Sequence, residues 1–501
     1  MEEKYAQLLT RLNEISDLLY AKNLLEWDQQ TYMPDGAAEE RSYLFSTLAR
    51  LAHQKATSDE IGALLEALTP WANQLEPNSD EARMVSVTRY QYEKETRVPE
   101  AWVSEFTRVA SRAQNVWEKA KTGSDFELFR PYLENIIELR RQYAGFFAPY
   151  DHVYDPLLDS FERGLKTAEV QAVFAVLRPR QVELIQAIGE CQQVDDSFLR
   201  RKFDEQNQWD FGVSVISCFG YDWQRGRQDR AMHPFTINFG LDDVRITTRF
   251  DPERPASALF STIHECGHAL YEQGVNPAYR RTPLADCSLS MALHESQSRL
   301  WENLVGRSLP FWKRFYPQLQ RAFPSELSDI SLEAFYQAIN RVQPTLIRVE
   351  ADEASYNLHV MLRLELEIAL MEGSLAARDL PEAWNTHMKE YLGLTPPDHA
   401  QGVLQDVHWS AGYFGYFPTY ALGNLVAVQL WEGILTDIPD LENQIEHGRF
   451  DDLLGWLRKN IHNYGAKFTV QEILKQATGA TLDPQPYLRY LQIKYGAIYN
   501  L

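Results

Sequence analysis

The expected fold is organised around Ser261-Thr-Ile-His-Glu-Cys-Gly-His-Ala-Leu270. This stretch places His264, Glu265 and His268 in the pattern H-E-x-x-H. Positions i and i+4 of a helix lie on the same face, so both imidazoles can bind one metal ion while Glu265 reaches its edge. The apolar residues around the three polar ones favour a helix buried beside a site. The alternative is a surface helix with a His/Glu face.

Two imidazoles and one carboxylate are typical ligands of catalytic zinc. Zinc held in this way lowers the pKa of a water molecule from about 15.7 toward roughly 7. Glu265 stands beside the first histidine and would take the proton of that water. The motif therefore predicts a zinc-dependent hydrolase with Glu265 as the general base.

The third ligand has to come from another part of the chain. Glu295 lies 295 − 268 = 27 residues after His268, and the turn-forming residues 282–290 leave room for a loop and the start of a second helix. His294 is its neighbour, about a quarter-turn away on a helix, so one of the two can bind the metal while the other faces the substrate. We choose Glu295, because a carboxylate from a second helix is the commoner hydrolytic ligand.

The composition predicts a globular chain without a nucleic-acid partner. Of 501 residues, 45% are hydrophobic and twelve are tryptophan, and the net charge of −21 is not offset by any basic run. Long helical patterns with few linkers predict one domain over residues 1–501. Within it we expect a mostly helical lobe at 1–230, the hairpin, metal helices and substrate-binding segments at 231–424, and C-terminal helices at 425–501.

The cysteines and the first residues indicate a cytoplasmic protein. The four cysteines show no C-x-x-C pair and are expected to be free thiols, with Cys266 packed in the core. The acidic, polar start of the chain is unlike a signal peptide, and no later window has 18 apolar residues, so no membrane association is expected.

Most of the chain shows helical periodicity, with one exception. Apolar stripes at three-and-four spacing cover residues 1–150, and the helical pattern continues over 151–230. Two alternating segments then predict a β-hairpin over 234–250. Its second strand places Asp243, Arg245 and Thr247 on one face. That face either binds peptide or is solvated, and these residues leave both interpretations open.

A helix is expected over Leu346–Ala354, where Arg348 and Asp352 are spaced i, i+4. The simple interpretation is a surface ion pair. The functional one is that Arg348 binds a carboxylate of the substrate, which suits its planar guanidinium. A third is that Asp352 or Glu353 orients a histidine ligand. The sequence does not decide between them.

The stretch from Gly402 to Asn424 is rich in Gly, Tyr and His, unlike the helical patterns on either side, and is predicted to be irregular and to line the site. Four of its side chains can donate a hydrogen bond to the oxyanion that forms when water adds to a carbonyl: His408, Tyr413, Tyr416 and Tyr420. Each of them could instead pack in the core. We expect at least one of the four in the cleft.

Over nearly its whole length the sequence resembles the carboxypeptidase Taq family. Seven motifs in the same order carry the resemblance, and together they are more specific than any one. They are Trp27-Asp-Gln with Met33-Pro, His233-Pro-Phe-Thr236, Asp243-Val-Arg-Ile-Thr247, His264-Glu-Cys-Gly-His268, His294-Glu-Ser-Gln297, Ile347-Arg-Val-Glu-Ala-Asp352 and Gly402-Val-Leu-Gln-Asp-Val-His-Trp409.

The resemblance implies a mainly α fold, a two-lobed helical cleft like that of neurolysin-like peptidases with a small antiparallel β-sheet at the groove. It also implies a homodimer. Matching motif positions give His264, His268 and Glu295 as ligands of one zinc ion per chain, for which cobalt often substitutes, and Glu265 as the general base.

The same resemblance implies an exopeptidase that removes single C-terminal amino acids, with broad specificity, from peptides with a free C-terminus. Arg348 with Tyr420 looks like the site for the terminal carboxylate. His408 or Tyr420 would stabilise the oxyanion. The strand that carries Arg245 resembles the element that blocks the groove and sets substrate length.

Two other functions remain in view. A metallo-oligopeptidase would cut internal bonds, and so would accept peptides with an amidated C-terminus. A non-catalytic helical interaction protein would bind no stoichiometric metal, and a chelator would leave its thermal stability unchanged.

Overall fold

Six helices form the first part of the chain, as the apolar stripes predict. The computed structural model describes residues 1–252 and 255–501. Ser58 and Ser79 cap two of these helices, because their side chains accept hydrogen bonds from the backbone N–H three residues on. The helices are α1 (Glu2–Thr31), α2 (Ala38–Ala56), α3 (Asp59–Ala72), α4 (Asp80–Arg97), α5 (Glu100–Gly123) and α6 (Phe126–Gly145).

The predicted hairpin is present, within a sheet of three strands. Helices α7 (Asp155–Leu158), α8 (Thr167–Gly189) and α9 (Glu205–Phe219) precede the strands β1 (Gln228–Arg230), β2 (Thr236–Asn238) and β3 (Val244–Thr248). Strands β2 and β3 are antiparallel, but β1 pairs with the other edge of β3 in parallel. The expectations of a purely antiparallel sheet and of helix up to residue 230 were therefore wrong. A strand of three polar residues has no periodicity of its own and exists because β3 supplies its hydrogen bonds.

The rest of the chain is again helical, which confirms the mainly α fold. The likeness of the cleft to neurolysin-like peptidases and the division of the chain into three parts stay predictions. The helices are α10 (Pro255–Gln273), α11 (Met291–Arg299) followed by a π-helical turn (Leu300–Val305), α12 (Leu309–Ala322), α13 (Pro324–Leu327), α14 (Leu332–Ile339), α15 (Tyr356–Glu372), α16 (Leu380–Leu392), α17 (Phe417–Asp437), α18 (Leu441–Glu446), α19 (Asp451–Asn460), α20 (Val470–Thr478) and α21 (Gln485–Tyr499).

Two segments differ from the predicted secondary structure. The expected helix over 346–354 is only a 3₁₀ turn (Arg348–Glu350), because the Asp352 side chain accepts hydrogen bonds from the N–H groups of Ala354 and Ser355 and ends the local pattern. The irregular stretch expected over 402–424 ends at residue 416, so that Tyr420 stands in the first turns of α17.

Buried apolar residues form one contiguous cluster from Leu8 to Tyr499. The four cysteines are free, and Cys266 is fully buried, which confirms its predicted packing role. None of the described helices has the length and apolar character needed to cross a membrane.

Glycines allow three helices to approach one another closely around Glu295. A Cβ on Gly267 of α10 would lie 2.6 Å from the Cα of Ser298 in α11. A Cβ on Gly423 of α17 would lie 2.6 Å from the Cγ of Glu295. Atoms this close would overlap, so only glycine permits these crossings. The glycine of the metal motif, Gly267, therefore has a packing role that the spacing of the motif did not reveal.

We predict that Gly423→Ala lowers the free energy of unfolding by about 1–3 kcal/mol, as overpacking of a tight core does. Gly455→Ala is the matched control. A Cβ on Gly455 of α19 would meet no neighbouring atom within 4 Å, and alanine there should stabilise the helix by up to about 1 kcal/mol. Melting temperatures of the two variants measure the difference. Equal melting temperatures would contradict the packing argument.

Candidate metal centre and active site

His264, His268 and Glu295 come together as one group. The two histidines stand one turn apart on α10, and Glu295 reaches them from α11. The Nε2 atoms of His264 and His268 lie 3.7 and 3.6 Å from Oε2 of Glu295, and the three ligand atoms lie within 4.8 Å of one another. Ligand atoms about 2.05 Å from a tetrahedral zinc ion are about 3.4 Å apart. Both the chemistry of these donors and their spacing therefore fit a zinc ion.

His294, the alternative third ligand, points elsewhere. Its ring stacks on that of His268 with centroids 4.3 Å apart, and its Nε2 lies 2.9 Å from Oε1 of Glu272. Burial lowers the pKa of His268 to about 3, so this ring is neutral, as a metal ligand must be. The structure thus places Glu295, and not His294, with the two motif histidines.

Glu302 orients the first histidine, a role that the sequence analysis missed. Its Oε2 lies 2.9 Å from Nδ1 of His264, and it also accepts hydrogen bonds from Arg299 and Arg307. Burial would raise the pKa of Glu302, but the charge of Arg299 and the bond to His264 lower it to about 2. An ionised carboxylate on Nδ1 fixes the tautomer that leaves Nε2 free for a metal. The available signal was the spacing of seven residues from Glu295, two helical turns on the same face.

The proposed base, Glu265, is buried and held in place from the sheet. The hydroxyl of Thr236 in β2 lies 2.7 Å from Oε2 of Glu265 and 2.9 Å from its backbone oxygen. Burial raises the pKa of Glu265 above its usual range. A carboxylate with a raised pKa accepts a proton more readily, which suits a general base.

Arg348 is buried, and its partner is not Asp352. Nε and Nη2 of Arg348 donate to Oδ1 of Asp406 at 3.1 and 2.8 Å, and Nη1 donates to the hydroxyl of Tyr356 at 2.8 Å. Arg363 donates to the other oxygen of Asp406 at 2.8 Å. Burial would raise the pKa of Asp406, but the two arginines hold it well below its usual range.

Two predicted roles of the segment around Arg348 are therefore wrong. The surface ion pair of Arg348 with Asp352 does not form, because Asp352 caps the next turn instead. Neither Asp352 nor Glu353 orients a histidine ligand, since Glu353 binds Lys494. Asp406 was not predicted from the sequence as the partner of Arg348. Its signal was its place beside His408 in the motif Gln405-Asp-Val-His408.

His408 and Tyr420 lie beside Arg348. Nε2 of His408 is 3.4 Å from the hydroxyl of Tyr420, and the guanidinium of Arg348 stands 5.0 Å from the centre of the Tyr420 ring. Burial lowers the pKa of His408 to about 3, so it is neutral. Tyr420 lies one turn before Gly423, which packs on Glu295, so Tyr420 stands near a metal ligand as well as near Arg348.

Tyr413 and Tyr416 extend the same aromatic group outward. The rings of Tyr416 and Tyr420 have centroids 5.2 Å apart, and Tyr413 is 47% exposed. Of the four donors predicted for the oxyanion, Tyr413 is thus the furthest toward solvent.

Arg245 lies on the sheet wall and makes no contact with the three metal ligands. Asp243 accepts both of its hydrogen bonds at 2.8 Å, and its guanidinium is packed between the rings of Trp27 and Phe239, at 4.3 and 4.7 Å. The face that it shares with Thr247 is therefore covered by α1 and is not a solvated face. Trp27 is buried in this contact.

A helical fold that brings two histidines, a carboxylate ligand and a second carboxylate together has the arrangement of a metal-dependent peptidase. The comparisons agree. The sequence profile of the carboxypeptidase Taq (M32) metallopeptidase family matches residues 7–495. A thermostable carboxypeptidase 1 of Thermus thermophilus is 42% identical over 509 residues, covering 100% of this chain and 99% of that protein. Another from Pyrococcus furiosus is 36% identical over 98% of both chains.

A solved structure agrees as well. The crystal structure of an M32 carboxypeptidase from Deinococcus radiodurans is 41% identical, with a TM-score of 0.96 over 100% of both chains. The chain therefore belongs to the carboxypeptidase Taq (M32) metallopeptidase family. It is a metallocarboxypeptidase, an enzyme that hydrolyses peptides.

We predict that Glu302→Ala weakens metal binding about 10- to 100-fold, the usual effect of losing the partner of a histidine ligand. Competition with a chromophoric zinc chelator measures the affinity. Glu302→Gln keeps an acceptor oxygen and should lose less of the affinity for the metal. Glu333→Gln, which removes an exposed carboxylate of α14, is the control. An unchanged affinity in Glu302→Ala would mean that this carboxylate does not orient His264.

Proposed function

We propose that this enzyme is a zinc-dependent carboxypeptidase that removes single amino acids from peptides with a free C-terminus. One observation carries the proposal: Arg348 and Arg363 share the single carboxylate of Asp406. Within this buried group of three, two positive charges share one negative charge. A buried charge that is not compensated is costly, and a carboxylate from outside would relieve that cost. The C-terminal carboxylate of a peptide is such a group.

Zinc is the ion that suits the ligands best. Two neutral imidazoles and one carboxylate are the ligands of hydrolytic zinc sites, and their number leaves room for a fourth ligand. Cobalt can substitute in the same geometry. When it is bound, zinc supplies a polarising charge that acidifies water and favours attack on the peptide carbonyl.

The side chains around the metal would have different roles in the reaction. Glu265 takes a proton from the attacking water and returns it to the nitrogen of the leaving amino acid, so the proton balance closes within one carboxylate. Tyr420, with His408 as its neighbour, can donate a hydrogen bond to the oxygen of the carbonyl as negative charge develops there. Arg348 holds the terminal carboxylate, and this contact fixes which bond lies next to Glu265.

The first test is mass spectrometry of matched peptides, as free acids and as C-terminal amides, incubated with the zinc- or cobalt-loaded enzyme. We expect stepwise loss of single C-terminal residues from the free acids and none from the amides. Glu265→Gln should lose at least about 100-fold in turnover and keep its metal. Internal fragments from the amidated peptides would instead identify a metallo-oligopeptidase.

Arg348→Ala tests the carboxylate site separately. We predict a fall in kcat/KM of about 30-fold or more, because a charge-assisted hydrogen bond to the substrate is lost, worth about 2 kcal/mol. Zinc content should be unchanged, since Arg348 does not contact the metal ligands. The control is Arg378→Ala, at an exposed arginine. Unchanged hydrolysis by Arg348→Ala would contradict the assignment.

We also propose broad side-chain specificity, a role for the Arg245 strand in limiting substrate length, a homodimeric assembly and a cytoplasmic location. The first three rest on the family resemblance. The Arg245 strand has the rigidity that a barrier needs, because Asp243, Trp27 and Phe239 hold its arginine. The four free cysteines suit a reducing compartment. Sedimentation of the purified enzyme would test the assembly.

A further inference from the structure

An open cavity of about 390 Å³ lies between the N-terminal helices and the sheet. Side chains of α1, α3 and α4 form one wall, and β2, the end of α10 and residues 282–288 form the other. None of the metal ligands lines it, and neither does Arg348.

The cavity opens next to the proposed base. Thr236 lines it, and the same hydroxyl lies 2.7 Å from Glu265. Two residues along β2, Asn238 also lines it and donates to Glu272 at 2.8 Å. Glu272 lies one turn beyond His268 on α10. The cavity therefore continues from the base along α10, past the second histidine.

Arg348 lies on the other side of the metal ligands. Its guanidinium stands over Phe417 and Tyr420 of α17, which packs on α11, whereas β2 and the cavity lie against α10. A peptide whose terminal carboxylate sits at Arg348 thus has its scissile bond near Glu265. Its preceding residues then extend toward the cavity.

The lining of the cavity is negatively charged. Glu95, Glu272 and Asp286 line it, and no lysine or arginine does so among the lining residues that the structure describes. Tyr20, which also lines the cavity, is affected by the same negative charges. Burial, together with the charges of Asp286 and Glu272, raises its pKa to about 12. A cavity walled by negative charge attracts cations.

A second observation is independent of these charges. Thr88 of α4 lines the cavity and is only 4% exposed, yet its hydroxyl has no hydrogen-bond partner within the described part of the chain. Buried hydroxyls without a partner are rare in folded proteins and call for an explanation. Among the described residues, Thr88 thus adds an unpaired hydroxyl to this wall of the cavity.

We propose that this cavity, which we name the acidic pocket, binds an ammonium group of the substrate upstream of the cut bond. The inference rests on the proposed carboxypeptidase function. The ammonium group has two sources: the free amino terminus of a short peptide, or a lysine side chain within a longer one. The negative side chains Glu95, Glu272 and Asp286 attract it.

The dimensions of β2 limit how far upstream this group lies. From Thr236, beside the base, to Asn238, beside Glu272, is two strand residues, or about 7 Å. An extended peptide alongside β2 covers about the same distance with two residues. The ammonium group is therefore expected two to three residues before the cut bond, so the preferred free substrates, which carry one residue after that bond, are three to four residues long.

The test compares synthetic peptides of three to six residues, each with a free and with an acetylated amino terminus, on the zinc-loaded enzyme. At the preferred length we expect kcat/KM to be about tenfold higher for the free amine, the effect of one partly desolvated charge pair. Added salt should reduce this ratio. A ratio of one at every length, in both the amine and the lysine series, would overturn the proposal.

A third series distinguishes the two sources of the ammonium group. It carries an acetylated amino terminus and a lysine two or three residues before the cut bond. If lysine restores the rate that acetylation removed, the pocket accepts either source. If only the free amine is favoured, the pocket binds the amino terminus. If only the lysine series is favoured, the pocket binds the lysine side chain.

Variants of the acidic pocket test the same ratio, that of kcat/KM for peptides with a free and with an acetylated amino terminus. Glu95→Gln and Asp286→Asn should each bring the ratio of free to acetylated peptide closer to one, and Gln91→Lys, which adds a positive charge to the lining, should do so most. Glu66→Gln removes an exposed carboxylate of α3 outside the lining and is the matched control. Equal ratios in all four variants and in the unmodified enzyme would contradict an electrostatic role of the pocket.

The outcome separates this inference from the proposed function. If free and acetylated peptides lose single C-terminal residues at equal rates and an upstream lysine gives no advantage, the carboxypeptidase function stands and the acidic pocket is wrong. If no peptide loses a C-terminal residue, the proposed function itself fails.

Discussion

The close approach of α10, α11 and α17 at Glu295 is the constraint on which the site depends. Gly267 and Gly423 let three backbones meet where a Cβ would overlap its neighbour. The crossing of α10 and α11 sets the distance from Glu295 to the two histidines. The crossing of α11 and α17 sets the distance from Glu295 to Tyr420. Because Glu295 lies at both crossings, its position relates the metal ligands to the residues proposed to bind substrate.

Two buried charge networks extend from that point, and they differ in balance. Around the ligands, the carboxylates of Glu295 and Glu302 face Arg299 and Arg307, so two negative charges meet two positive ones. Such a balanced network tolerates burial. The neighbouring network of Arg348, Arg363 and Asp406 is positive by one charge. The first arrangement holds the ligands in place, whereas the second is the one that we propose to take the carboxylate of the substrate.

Sequence reasoning reached the features that depend on local spacing. The pair His264 and His268 follows from helical geometry, and the hairpin of β2 and β3 follows from alternation and a turn. Glu295 was within reach because only a loop and a helix start separate it from His268. Features that depend on distant contacts were not predictable in this way. Strand β1 exists because β3 pairs with it.

The partner of Arg348 illustrates the same limit. Asp352 was its natural partner on a helix, but no helix forms there, and the carboxylate that binds it stands 58 positions further along the chain. Spacing also gave no sign of why Gly267 lies between the ligands. Glycine is needed at this position because the neighbouring helix passes close by, and a single sequence does not show that contact.

The two ends of the proposed substrate path carry opposite charge. At one end, beyond Glu295, the network around Arg348 is positive. At the other, beyond His268, the acidic pocket is negative and holds no positive side chain among its described lining residues. A short free peptide is itself a dipole, with a carboxylate at one end and an ammonium group at the other. In this field only one orientation is favourable, and it is the one that brings the last peptide bond to Glu265. Orientation would then come from the charges at the two ends of the peptide rather than from its side chains, and a site that works in this way has no need to discriminate among side chains.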